Sequence, residues 1–166
     1  MCRTDGFRHS GHAVSPHKNI QIETEDTNKD DSDSSEDVSG GSWDSLFWGT
    51  ASAGNWNQAV SVYTCKNGGS FNSSNIKSGG HFYVEYPGTK DKVELILQSW
   101  SGGSNWGKVT MTGSGEINGH YYATFSYDSC VAAFGSSNFA DLLDCVHVGA
   151  AGADITVYSV CYDYGK

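Results

Sequence analysis

The chain has 166 residues, of which 17% are charged and 13% aromatic, with 21 glycines, 2 prolines and a formal net charge of −9. That length suits one domain, and no apolar run approaches the ~20 residues that cross a bilayer as a helix. The acidic excess is concentrated near the N-terminus, and residues 43–166 still hold six basic residues against ten acidic ones, so no basic patch is available for nucleic acid.

Residues 1–20 show no periodic pattern and lack the apolar segment of a signal peptide. Such a start fits a piece of a longer secreted precursor or a cytoplasmic chain. His9, His12 and His17 fall here, but no carboxylate frames them, and the stretch reads as a disordered tail. Residues 21–41 are acidic and serine-rich. Asp26, Asn28, Asp30 and Asp37 match four positions of a calcium loop, but Asp31 stands where that loop needs glycine, and no apolar helix flanks it. A solvated linker is the simpler reading. Residues 1–41 are therefore expected to be tail and linker, and residues 42–166 one folded module.

The module opens with an aromatic-rich strand over 43–49. A second strand covers 56–65, a turn follows at 66–69, and 71–76 reads as a short strand or loose turn. Residues 81–86 form a strand with Phe82, Val84 and Tyr86 on one face. Residues 93–100 and 106–112 form a hairpin around the polar stretch 101–105. A turn at 115–119 and a strand at 120–127 come next. Residues 129–144 break the β pattern and suit one or two short helical turns crossing between sheets. Strands at 145–149 and 155–162 close the domain. About eight strands in a chain this short predict an all-β fold: a two-sheet antiparallel β-sandwich, a jelly roll, with one short helical crossover. Cys65 and Cys161 lie in apolar strands, where cysteine behaves as a small hydrophobe, so buried free thiols are expected rather than disulfides.

The hairpin carries the functional signal. Side chains alternate across a strand, so Val93, Leu95 and Leu97 share the core face. Glu94, Ile96, Gln98 and Trp100 share the other. In the partner strand, Val109 and Met111 point one way and Trp106, Lys108 and Thr110 the other. Two tryptophans and a glutamine thus face water. An exposed indole stacks on the apolar face of a pyranose, and a long amide reaches its hydroxyls. Tyr83, Tyr122 and Tyr158 alternate with apolar neighbours and read as sheet packing, Lys108 as a solvated charge, and Trp43 as a pin for the terminus.

The segments VELILQSWSGGSNWGKV, IKSGGHFYVEY and VHVGAAGADITVYSV resemble carbohydrate-binding modules of family 65 and related β-glucan and xyloglucan binders. Such modules are attached to plant-cell-wall hydrolases of anaerobic fibre-degrading bacteria. The resemblance implies a jelly roll whose tryptophans form a sugar platform on one concave sheet, with glutamine reading hydroxyls. Carried over by position, the ligand-binding residues are Gln98, Trp100 and Trp106, with Trp48 and Trp56 from the aromatic-rich opening. A second glutamine of the family has no counterpart, since Gly102 and Gly103 follow Trp100. The resemblance also implies a polysaccharide partner, a covalently attached catalytic module and an extracellular location. A calcium ion bridging loops is common in such sandwiches, but no clustered Asp/Asn loop in residues 43–166 argues for one, so neither metal nor cofactor is expected.

Two rivals stand beside this reading. Small jelly-roll glycosidases need two carboxylates about 5–5.5 Å or about 6.5–9.5 Å apart. Glu85 would be the first, and Glu94 or Glu116 the second. A protein-interaction module of a cell-surface assembly would also display an aromatic face.

Overall fold

The computed structural model describes residues 42–100 and 106–165. The histidines of the tail, the calcium-like pattern and the hairpin loop at 101–105 lie outside the described residues. Nine strands are described: β1 (Trp43–Ala53), β2 (Gln58–Tyr63), β3 (His81–Tyr86), β4 (Val93–Gln98), β5 (Gly107–Val109), β6 (Gly113–Ile117), β7 (His120–Ser126), β8 (Cys145–Ala150) and β9 (Ile155–Asp163). They form a five-stranded sheet, β1-β9-β3-β7-β6, and a four-stranded sheet, β2-β8-β4-β5, with every pairing antiparallel. The fold is the expected β-sandwich.

Alternation of side chains builds the core. In β3, Phe82, Val84 and Tyr86 are buried, while His81, Tyr83 and Glu85 between them are half-exposed. In β2, Val60 and Val62 turn inward, leaving Ser61 and Tyr63 outside. Val93, Leu95 and Leu97 of β4 point into the core, as the pattern predicts. Phe82 and Tyr162 meet edge to face at 4.8 Å, joining β3 and β9. Helices α1 (Tyr127–Phe134) and α2 (Phe139–Leu142) pack Cys130, Phe134 and Phe139 onto the core. The Ser126 side chain caps α1 by accepting from Ser129 N–H, and Gly135 ends it in the left-handed region at φ 81°. The expectation of free thiols holds at Cys130, Cys145 and Cys161 and fails at Cys65, which is disulfide-bonded. Burial pushes the Cys130 and Cys161 thiols up to about 12, with Asp163 and Glu85 adding to the rise at Cys161.

Two local expectations change. The hairpin partner of β4 is only Gly107–Val109; the chain then crosses to the other sheet and becomes β6. Part of the stretch expected as a turn at 115–119 is therefore strand. The turn itself is the pair Asn118–Gly119, both at positive φ (50° and 82°), the geometry a two-residue hairpin loop requires. Of the two readings of residues 71–76, the turn holds: residues 73–75 form a 3₁₀ turn, and Phe71 makes an isolated bridge to Thr64.

Candidate functional site

The outward face of the four-stranded sheet gathers most of the expected residues. One rung crosses all four strands as Ser61, His147, Ile96 and Lys108. The neighbouring rung carries Tyr63, Cys145 and Gln98. Trp100 follows Gln98, and Trp106 precedes β5 at the sheet edge. Trp56, Trp100 and Trp106 are 67%, 56% and 43% exposed. Ile96 shares this face yet is only 2% exposed, and it is not part of the core between the sheets. The face thus has its own apolar floor.

Trp56 is set by loop chemistry. Its φ of 70° is in the left-handed region, which costs a non-glycine residue about 1 kcal/mol or more. The loop is clasped to the turn after β8. Asn55 N–H donates to Asp154 Oδ1 (3.0 Å), Gly152 N–H donates to Asn55 Oδ1 (2.7 Å), and Trp56 N–H donates to the Ala150 carbonyl (3.3 Å). Lys108 Nζ sits 5.8 Å from the centre of the Trp56 ring and 3.2 Å from Glu94 Oε1. Lys108 is thus engaged as a brace for Trp56. The loop descends onto Gly149, where an added Cβ would lie 2.6 Å from the Asn57 carbonyl oxygen. Gly149→Ala is therefore expected to cost about 1–2 kcal/mol by forcing the backbone apart, and to weaken ligand binding through Trp56. Thermal unfolding and a titration with ligand check the two effects together.

Trp100 is held by its backbone and its ring. Its N–H donates to Asp144 Oδ2 at 2.5 Å, and its ring stacks on Tyr63 with centroids 6.3 Å apart and planes 13° from parallel. Asp144 is buried, and its other oxygen accepts from Asn67 Nδ2 (2.5 Å) and lies 3.5 Å from Lys66 Nζ. Burial pushes the Asp144 carboxyl up, but the hydrogen bonds from Trp100 and Asn67 and the Lys66 charge outweigh it and hold it below its ordinary value.

At the centre, His147 Nε2 is 2.7 Å from Gln98 Oε1 and His147 Nδ1 is 2.8 Å from Ser61 Oγ. The Trp106 ring lies 5.1 Å from the imidazole, tilted by 34°. Burial holds His147 below the ordinary histidine range.

Of the five predicted ligand-binding residues, Gln98, Trp56, Trp100 and Trp106 share this face. Trp48 does not. It lies in β1, in register with Ser159 of the five-stranded sheet, and is 80% exposed on the opposite side of the molecule. Sequence reasoning missed Tyr63 and His147. Both follow from the same alternation: Tyr63 is out of phase with Val60 and Val62, and His147 with Val146 and Val148.

The paired-carboxylate arrangement of a glycosidase is not formed by the candidate residues. Glu85 projects from the five-stranded sheet and Glu94 from the four-stranded one. Glu116 is in register with Tyr121, which pairs with Tyr86, so it points to the side opposite Glu85. Both Glu85 oxygens are engaged, one by the Tyr83 hydroxyl (3.1 Å) and one by His120 Nε2 (2.9 Å).

Comparison with known proteins agrees with this geometry. The family description "Carbohydrate binding module 65 domain 1" matches residues 47–160. Among solved structures, the chain is similar to a carbohydrate-binding module of the endoglucanase Cel5A from Eubacterium cellulosolvens. The identity is 20% and the TM-score 0.57, over 75% of this chain and 100% of that one. It is also similar to a structure described as the non-catalytic carbohydrate binding module CBM65B, at 20% identity and a TM-score of 0.56, over 74% and 98% of the two chains. No curated protein matches the sequence. The family match over most of its length leads to one assignment: the chain belongs to carbohydrate-binding module family 65 and is a binding module rather than a hydrolase.

Proposed function

We propose that the module binds β-glucans of the β-1,4 or mixed-linkage type, xyloglucan and glucomannan included, on the outward face of the four-stranded sheet. The observation that carries this reading is the grouping of Trp56, Trp100 and Trp106 around Gln98 on one face. The indole rings stack on successive sugar units, and Gln98 fixes their orientation. The clasped Trp56 loop, the Trp100–Tyr63 stack and the Asp144 anchor hold the rings in place before ligand arrives, so little ordering entropy is lost on binding. Stacking is chiefly apolar burial, worth about 25 cal/mol per Å². Polar contacts compete with water, so affinity is expected on the order of micromolar to tens of micromolar. The chain serves as a targeting part of a larger secreted plant-cell-wall hydrolase, raising the local concentration of the attached enzyme at its substrate. That the similar module belongs to an endoglucanase supports both the glucan and the attachment.

Affinity electrophoresis against xyloglucan, barley mixed-linkage glucan, glucomannan, galactomannan, xylan and hydroxyethylcellulose tests the proposal. Retardation by the glucans with no reducing sugar released is the expected result. Retardation by xylan or galactomannan alone would replace the ligand class, and no retardation by any of them would favour a protein partner for the aromatic face.

A further inference from the structure

We infer that His147, held by Ser61, is a positioning residue that turns the Gln98 amide so that its NH₂ group, not its carbonyl, faces the bound glycan. This rests on the glucan-binding reading of the face and assigns its polarity.

An imidazole that is neutral near pH 7 carries one N–H, so one ring nitrogen donates and the other accepts. Burial favours that neutral form in His147. Nε2 faces Gln98 Oε1 at 2.7 Å. An amide oxygen can only accept, so Nε2 is the protonated nitrogen. Nδ1 must then accept, and the group at 2.8 Å is the Ser61 hydroxyl, which can donate. The chain Ser61 O–H to Nδ1, and Nε2–H to Gln98 Oε1, is complete. The three residues sit on adjacent strands, with Ser61 and His147 directly paired and Gln98 two residues along β4 from Ile96, the partner of His147, and so on the same face. The Trp106 ring beside the imidazole restricts its rotation.

With the carbonyl turned to His147, the two N–H bonds of Gln98 remain for ligand. The ring and bridging oxygens of a polysaccharide carry no proton and can be read only by a donor. Sugar hydroxyls can accept as well. A flipped amide would present an acceptor and could not contact the ring or bridging oxygens. The polarity of this one amide therefore bears on which atoms of the glycan backbone the face can recognise.

Two measurements decide the matter. The first needs no ligand: a long-range ¹H–¹⁵N spectrum of the intact chain reports the His147 tautomer. The expected result is protonation at Nε2; protonation at Nδ1 would overturn the inference. The second is a calorimetric cycle with a soluble glucan. Gln98→Ala and Gln98→Glu should each lower affinity about tenfold, because glutamate keeps the acceptor toward His147 but has no NH₂ to offer. His147→Phe, which keeps a ring beside Trp106, should lower it about fivefold, and Ser61→Ala by less. In a Gln98→Ala background, the His147→Phe change should have no further effect. An undiminished His147→Phe effect in that background, or wild-type affinity in Gln98→Glu, would overturn the relay while leaving the glucan-binding reading intact. Failure of the wild-type protein to bind any glucan would remove both, whatever the tautomer.

Discussion

Replacing Trp100 with alanine is expected to lower glucan affinity about a hundredfold, equivalent to about 2.8 kcal/mol, while the module stays folded. The ring is 56% exposed and lies on the outward sheet face, so its removal opens no cavity between the sheets. What is lost is a stacking surface for sugar and the support of Tyr63, whose ring lies nearly parallel to it. Interface tryptophans are among the side chains whose truncation costs most. Isothermal titration with a soluble glucan measures the affinity, and far-UV circular dichroism with a thermal scan reports the fold. Undiminished binding by a folded variant would remove the tryptophan platform from the proposal.

The second large effect is expected at Asp144, through stability. Asp144→Ala removes the acceptor for Trp100 N–H and for Asn67 Nδ2, and the partner of Lys66. Lys66 is partly exposed and can be hydrated in its absence. The expected cost is about 2–3 kcal/mol, chiefly from donors left without their partner, which lowers the unfolding midpoint by about 10 °C. The pH dependence has a definite sign. The folded-state pKa of Asp144 is depressed, so its stabilisation is fully present above the ordinary aspartate value of about 4 and is lost as pH falls through the lower folded value. The gap in midpoint between wild type and Asp144→Ala should therefore be widest near neutral pH and narrow below about pH 4. A constant gap across that range would remove the carboxylate from the account. Because Asp144 also fixes the backbone of Trp100, the variant should bind glucan more weakly even where it is folded.

Sequence alternation exposed much of this architecture because one face of each sheet is buried. The run Val93 to Gln98 carried both the core face and the outward face, since a strand that slips by one residue would bury Glu94 and Gln98 and expose Leu95 and Leu97. The change of sheet between β5 and β6 left no such mark. Thr110, Met111 and Thr112 are as β-prone as the residues before them, and only the pairing of Gly113 to Ile117 with β7 shows where they lead. The true turn was nonetheless written in the pair Asn118–Gly119. Trp48 was separated from the other tryptophans by topology, because β1 pairs with β9 in the five-stranded sheet. Alternation cannot tell which sheet a strand joins. The contacts of His147 and Asp144 were hidden for another reason. Their partners, Ser61, Gln98, Asn67 and Trp100, lie 44 to 86 residues away in the chain, and no local pattern links them.

Ile96 has a calorimetric consequence. It is already shielded from water before any ligand arrives. A glycan laid across the face dehydrates the outer surfaces of Trp56, Trp100 and Trp106, and nothing beneath them. Burial of apolar surface is what makes the heat-capacity change of binding negative. That change should therefore be small, scale with the number of indole rings covered, and be insensitive to trimming Ile96 to valine, even though the same substitution lowers stability by about 1 kcal/mol.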